Sequence, residues 1–165
     1  MTRLTDLPFP SYTYVPGKNP HPVREADGHS FGLPEVHLDG FDPDDWSNCQ
    51  EFLFGIDLFN AGFYWEAHEQ WEAVWHATGR KGVVADFLKG MIKLAAAGVK
   101  LLEGRPIGVE RHARRAAELF LSTGHEHRRL CGFDVTELVR TSRQLCDEVA
   151  GDLSGLGIRL QPSKG

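Results

Sequence analysis

FLKGMIKLAAAGVKLLEG, residues 87–104, decides the fold. Placed at 100° steps, Phe87, Leu88, Met91, Ile92, Leu94, Ala95, Val99, Leu101 and Leu102 spread over about half a helix circumference or more. Lys89, Lys93 and Lys100 fall within a stripe of about 40°. A helix apolar over so much of its surface, running from about Gly82 to Glu103, is a central one, covered by neighbours on most sides. Gly90, Ala95, Ala96, Ala97 and Gly98 carry little bulk. They let a neighbouring helix come close, or leave room for large tryptophans opposite.

Helical signals continue on both sides. FYWEAHEQWEAVWH, residues 63–76, predicts a helix from about Phe63 to Ala77 with Gly79 as its stop. Before it, DPDDWSNCQEFLFGIDLFN (42–60) opens with Asp42 as a cap, Pro43 at the first helical position, and Asp44 and Asp45 at the positive end of the dipole. Phe52, Ile56 and Phe59 follow at helical spacing, and Asn60-Ala61-Gly62 breaks the run. A fourth helix starts after Arg105-Pro106 and runs to about Ser122, with Gly124 as its stop. Val109, Ala113, Ala116, Ala117 and Phe120 face inward, while Arg111, Arg114 and Arg115 face water. A fifth opens at Asp134, with Glu137 in a capping-box arrangement and Leu138, Leu145 and Val149 turned inward. Strand signals and internal repeats are absent. The expected fold is all-α, a compact bundle of about five helices with an irregular proline-rich N-terminal arm.

Residues 1–45 hold seven of the nine prolines, three histidines (His21, His29, His37) and no visible period. Phe9, Tyr12, Tyr14, Phe31 and Phe41 favour an arm lying on the body over a disordered tail, because disordered tails are poor in aromatics. The organisation expected is an extended arm over 1–41 packed on the body, a single helical domain over 42–155, and a tail over 156–165.

A chain of 165 residues with 41% hydrophobic and 25% charged residues fits one ordinary globular domain. No apolar run approaches the roughly 20 residues needed to span a bilayer, and MTRLTDLPFPSY lacks the apolar stretch of a secretory signal. Cys49, Cys131 and Cys146 make neither a disulfide framework nor a zinc knuckle, and read as reduced thiols in a cytoplasmic protein. Residues 1–80 carry 4 basic against 13 acidic side chains, and residues 81–165 carry 14 against 10. The two halves are expected to pack and partly neutralise one another. The acidic total argues against nucleic-acid binding, which leans on a strong basic patch.

The second helix carries the chemistry. His68, Glu69, Glu72 and His76 occupy a sector of about 100°, with Trp65 in its middle. The spacings His68–Glu72 and Glu72–His76 are both i,i+4, so these groups can touch. A carboxylate beside an imidazole fixes its tautomer and raises its basicity, and clustered Glu and His side chains make a shell for a divalent cation. HEQWE (68–72) is not the HExxH of zinc proteases, because Glu72 stands in place of the second histidine. One helix supplies two or three ligands at most, so the arm's His21 and His29 are expected to join His68, Glu69 and Glu72 at a metal. Tyr64, Trp65, Glu66, His68, Glu69, Glu72, Trp75 and Lys93 form the candidate ligand-binding set, with Glu69 and Glu72 as candidate catalytic bases.

GIDLFNAGFYWEAHEQWEAVWHATG, followed by FLKGMIKLAAAGVKLLEG, resembles the domain-of-unknown-function 309 family. The matching residues are Phe59, Asn60, Gly62, Tyr64, Glu66, His68, Glu69, Glu72, Trp75, Gly90, Ile92, Lys93, Ala95 and Ala96, within roughly residues 50–125. The resemblance implies a compact helical fold and points at the same Glu, His and Trp positions without assigning an activity. Two functions are expected to compete. One is a site for a small molecule or divalent metal, in the sharper form a metal-assisted hydrolase. The other is a non-enzymatic adaptor or homo-oligomer in which the Glu/His cluster is a structural polar network.

Overall fold

The computed structural model describes residues 2–149 and 158–164. Five α-helices carry the fold: α1 (Gln50–Asn60), α2 (Tyr64–Ala77), α3 (Val83–Leu102), α4 (Pro106–Gly124) and α5 (Val135–Glu148). The described residues are all-α apart from a 3-10 helix, Pro43–Asn48, and two strands of two residues, β1 (Arg129–Leu130) and β2 (Phe133–Asp134). Each helix packs mainly on the next in sequence, so α3 lies between α2 and α4. No helix among the described residues is long and apolar enough to cross a membrane.

Helix α3 is central, as its apolar coverage requires. Phe87, Leu88, Met91, Ile92, Leu94 and Ala95 are buried with Phe52, Phe59, Trp71 and Phe120 in one core. Its small residues do admit large neighbours, but not tryptophans. A Cβ on Gly90 would strike the Phe120 ring, and one on Gly98 the Tyr64 ring. The tryptophan in such a seat is Trp71, which fills the space over Gly55 of α1 and donates its indole N–H to the Phe52 carbonyl at 3.2 Å.

The helix boundaries follow local chemistry. Gly62, at φ 86°, stops α1, with the Phe63 N–H reaching back to the Leu58 carbonyl at 2.8 Å in a Schellman arrangement. Asp42 does cap a helix, accepting from the Asp44 N–H at 2.9 Å, but the turn that it caps is not the start of α1. Asp45 leaves the helical region, Asn48 bonds to its carboxylate at 2.6 Å, and extended Cys49 separates the two helices. Asp134 caps α5 through the N–H groups of Thr136 and Glu137. The reciprocal half of a capping box is missing, because Glu137 pairs with Arg140 instead.

The expected absence of strands fails at one place. Leu130 pairs with Phe133 and Arg129 with Asp134 across a two-residue turn, Cys131-Gly132, in which both φ angles are positive. That is the backbone a tight hairpin needs.

Three side chains of α1 and α2 fasten the chain's outer segments. Asp57, buried in α1, accepts from the backbone N–H of Leu4 and Thr5 and from the Thr5 hydroxyl, each at 2.8 Å. Asn60 exchanges two hydrogen bonds of 2.8 Å with the backbone of Leu160. Glu66 does the same office for residues 13–29. The boundary expected at residue 155 lies outside the described residues.

Candidate functional site

Helix α2 divides the expected site between two faces. Glu66 points inward with Ala67, Trp71 and Val74. His68, Glu69, Glu72 and His76 point outward, and are partly or largely exposed. The division follows from helical geometry: Glu66 lies about 200° around the helix from His68.

On the inner face, the Glu66 carboxylate is saturated by the arm. Its Oε1 accepts the Tyr14 N–H at 2.8 Å and lies 2.8 Å from His29 Nε2, and its Oε2 accepts the Thr13 hydroxyl at 3.0 Å. The His29 and Glu66 side chains are only 6% and 5% exposed. His29 Nδ1 lies 2.8 Å from the Ser30 hydroxyl, so both of its ring nitrogens are engaged. The Tyr12 ring packs on His29, while its hydroxyl donates to the Pro20 carbonyl and accepts the His29 N–H. Trp65 is walled by Tyr14, His21 and His29 with centroids 5.3, 5.7 and 6.4 Å away.

His21 and His29 therefore do not join His68, Glu69 and Glu72. His29 is held at Glu66 by the 2.8 Å contact of its Nε2 with the carboxylate and by a shared aromatic wall. His21 Nδ1 faces the N–H groups of Val23 and Arg24 at 3.3 Å, in the turn that its own backbone opens. Tyr64, Trp65 and Glu66, placed in the ligand-binding set, are occupied by contacts within the chain. Tyr64 packs edge-on against Phe59 at 5.1 Å, and burial pushes its hydroxyl pKa up.

On the outer face, one ligand atom from each of His68, Glu69 and Glu72 lies within 4.8 Å of the others. His68 Nδ1 is 3.2 Å from Glu69 Oε1, and Nε2 is 3.7 Å from Glu72 Oε2. Glu72 stands between two imidazoles, with His76 Nε2 3.7 Å from its Oε1. His76 Nδ1 accepts from Arg80 Nε at 2.8 Å. Ligand atoms around a zinc-sized ion at about 2.0–2.2 Å sit roughly 3–3.5 Å from one another. Small side-chain rotations would close the present set to that size, and exposed side chains make them freely.

Trp75 lies half-buried at the end of this face. The Arg80 guanidinium is 5.5 Å from its centroid and the Lys89 ammonium 5.8 Å. Lys93 is half-buried and has no hydrogen bond or ion pair among the described residues. His112 of α4 joins this neighbourhood, although its sequence context gave no sign of it. Its pKa is lowered by burial first, then by the charges of Lys93, Lys100, Arg111 and His68.

Asp57 is a buried polar residue to which sequence reasoning gave no role, and Asn60, read there as part of a helix break, also fastens Leu160. For Asp57 a signal was available. It is the lone charge in FLFGIDLF, residues 52–59, and a carboxylate inside an apolar helix needs partners.

Comparison with curated proteins finds no match. Residues 52–112 match the family model described as Domain of unknown function (DUF309). The matched segment contains nearly all of α1, the whole of α2 and α3, and the first turns of α4, and with them both faces of the α2 site. Over residues 52–112, and not beyond them, the chain is similar to the DUF309 family.

Proposed function

We propose that His68, Glu69 and Glu72 bind a divalent cation on the outer face of α2, and that the protein is a metal-assisted hydrolase of a small molecule. The observation that carries this reading is the approach of one ligand atom from each residue to within 4.8 Å of the other two. Imidazole with carboxylate suits zinc, manganese or a similar ion, and three protein ligands leave coordination positions open to water and substrate. A cation held there would supply Lewis acidity and a more acidic water. Glu72, which faces both His68 and His76, and Glu69 are the groups placed to hold the proton.

The test is metal analysis of the untagged full chain, followed by titration with Zn²⁺ and Mn²⁺. One cation per chain is expected, with loss of binding in His68→Ala and Glu72→Gln and none in a Glu118→Gln control. Wild-type protein that takes up no more cation than the His68→Ala variant would end this reading.

A second reading has one specific observation in its favour. Asp57, Asn60 and Glu66 are all spent on the chain's own backbone and side chains. On this reading the polar positions of α1 and α2 are architectural, and the protein is a non-enzymatic adaptor or homo-oligomer. Native mass spectrometry separates the two: a metal-free oligomer supports the second, a metallated monomer the first. Three free cysteines suit a cytoplasmic, reducing setting for either.

A further inference from the structure

The outward line of α3 has no role in the core or in the proposed cation site. From Phe87 to Lys100, the residues that are not buried are Lys89, Lys93, Ala96 and Lys100. They recur at i, i+4, i+7 and i+11, which is one narrow stripe of a helix. Three of the four are lysines.

The neighbouring helices flank this stripe in a definite register. Tyr64 of α2 lies on Gly98, and Trp75 lies beside Lys89, so α2 and α3 run antiparallel. Interpolating between those two contacts puts His68 and Glu72 opposite Lys93. On the other side, the Lys100 stem covers Gly108 and Phe120 covers Gly90, so α3 and α4 are also antiparallel. The same interpolation sets His112 at the level of Lys93 to Ala97. The charges felt by His112 are those of Lys93, Lys100, Arg111 and His68, which agrees with that register.

We infer that Lys93 of α3, with His112 of α4 beside it, binds the phosphate group of a small phosphate ester. The inference deepens the proposed hydrolase by naming its substrate class, and rests on that reading only for the reaction. Three observations carry the binding itself. Lys100 is held by Glu103 at 2.7 Å, and Lys89 by the Trp75 ring. Lys93, between them, has no counter-ion among the described residues. His112 likewise has no hydrogen bond there, so it can offer a ring N–H to an oxyanion. Single-point donors such as an ammonium and an imidazole N–H suit a tetrahedral phosphate, whereas planar carboxylates favour the two-pronged arginine fork. A cation at His68, Glu69 and Glu72 would lie beside the same phosphate, the arrangement in which carboxylate-held metals meet substrate phosphates.

The test is calorimetric titration of the full chain with inorganic phosphate and with phenyl phosphate, in EDTA at fixed ionic strength. Saturable binding is expected, displaced by sulfate and not by acetate. Lys93→Gln is expected to weaken it about tenfold or more with an unchanged circular-dichroism spectrum. Lys164→Gln, at an exposed position, is expected to leave it unaltered. His68→Ala should retain phosphate in EDTA while failing to bind Zn²⁺, so the phosphate and metal readings fail separately. Wild-type binding that Lys93→Gln leaves intact, equal displacement by acetate, or no saturable binding of either phosphate would overturn the inference. As a second variant at the same place, His112→Gln keeps a neutral donor and is expected to lose less affinity than Lys93→Gln.

Discussion

Glu66 of α2 and His29 of the N-terminal arm meet at 2.8 Å, and both side chains are almost closed to solvent. Every hydrogen bond that the carboxylate accepts comes from residues 13–29. A buried carboxylate with this many donors is a clasp. Its stabilisation depends on the arm being seated, and the arm's seating depends on it.

Glu66→Ala should therefore do two things at once. It leaves the Tyr14 N–H, the Thr13 hydroxyl and His29 without their acceptor, at a cost of about 3 kcal/mol, since breaking a buried pair by removing one partner is costly. It should also expose the arm to trypsin at Arg24 well before the body is cut. Glu66→Gln is expected to be much milder, because its carbonyl can still accept from Tyr14 while its amide donates to Thr13. Urea denaturation with timed proteolysis checks both. Equal stability and equal arm protection in Glu66→Ala would show that the aromatic contacts alone hold the arm.

The C-terminal segment hangs from a different residue. Asn60 donates to the Leu160 carbonyl and accepts from the Leu160 N–H, copying the pairing of one strand with another. Asn60→Ala should cost about 1–3 kcal/mol and make the bond after Arg159 the first site of tryptic cleavage. Asn60→Asp keeps the acceptor but sets a carboxylate against the Leu160 carbonyl, so it should be no better than alanine. Mass spectrometry of the early digest distinguishes these outcomes.

The proximity of His68, Glu72 and His76 was legible because i,i+4 spacing on one rigid helix places side chains together whatever the tertiary fold does. The helices were legible for a related reason: apolar period and local stop residues fix them with little reference to distant chain. The partner of Glu66 was not. His29 lies 37 residues away, in a segment without period, and its position depends on turn bonds such as Ser30 N–H to the Pro22 carbonyl. No local rule distinguishes His29 from His21 as the one that reaches Glu66. The hairpin at 129–134 was illegible too, because strands of two residues cannot show alternation.

The thiols supply a prediction with a definite sign in pH. Burial pushes the pKa of Cys131 far up, and those of Cys49 and Cys146 up as well. The native protein thus favours the neutral thiol, and the thiolate is the reactive form. Alkylation by iodoacetamide at neutral pH should be slow at all three, and at Cys131 should require unfolding. A raised folded pKa contributes stability that is complete below the unfolded value, and is lost as pH rises towards the folded one. Stability should accordingly fall above about pH 9, and Cys131→Ala should flatten that fall. Rapid native alkylation of Cys131 would contradict its burial.

Glycine to alanine inside a helix ordinarily stabilises by about 1 kcal/mol. At Gly55 the sign should reverse. The added methyl would land on the indole of Trp71, which is fully buried and tied by its N–H to the Phe52 carbonyl, so the ring cannot withdraw. Overpacking of this kind costs about 1–3 kcal/mol. Gly98→Ala meets the Tyr64 ring, but Tyr64 is only half-buried and has room to tilt, so its loss should be the smaller. The two are separable by partner replacement. Tyr64→Leu should relieve Gly98→Ala and do nothing for Gly55→Ala, a coupling that thermal melts of the three single and two double variants would read directly. Gly55→Ala melting above wild type would mean that Trp71 is free to move, and the tie between α1 and α2 would have to be sought elsewhere.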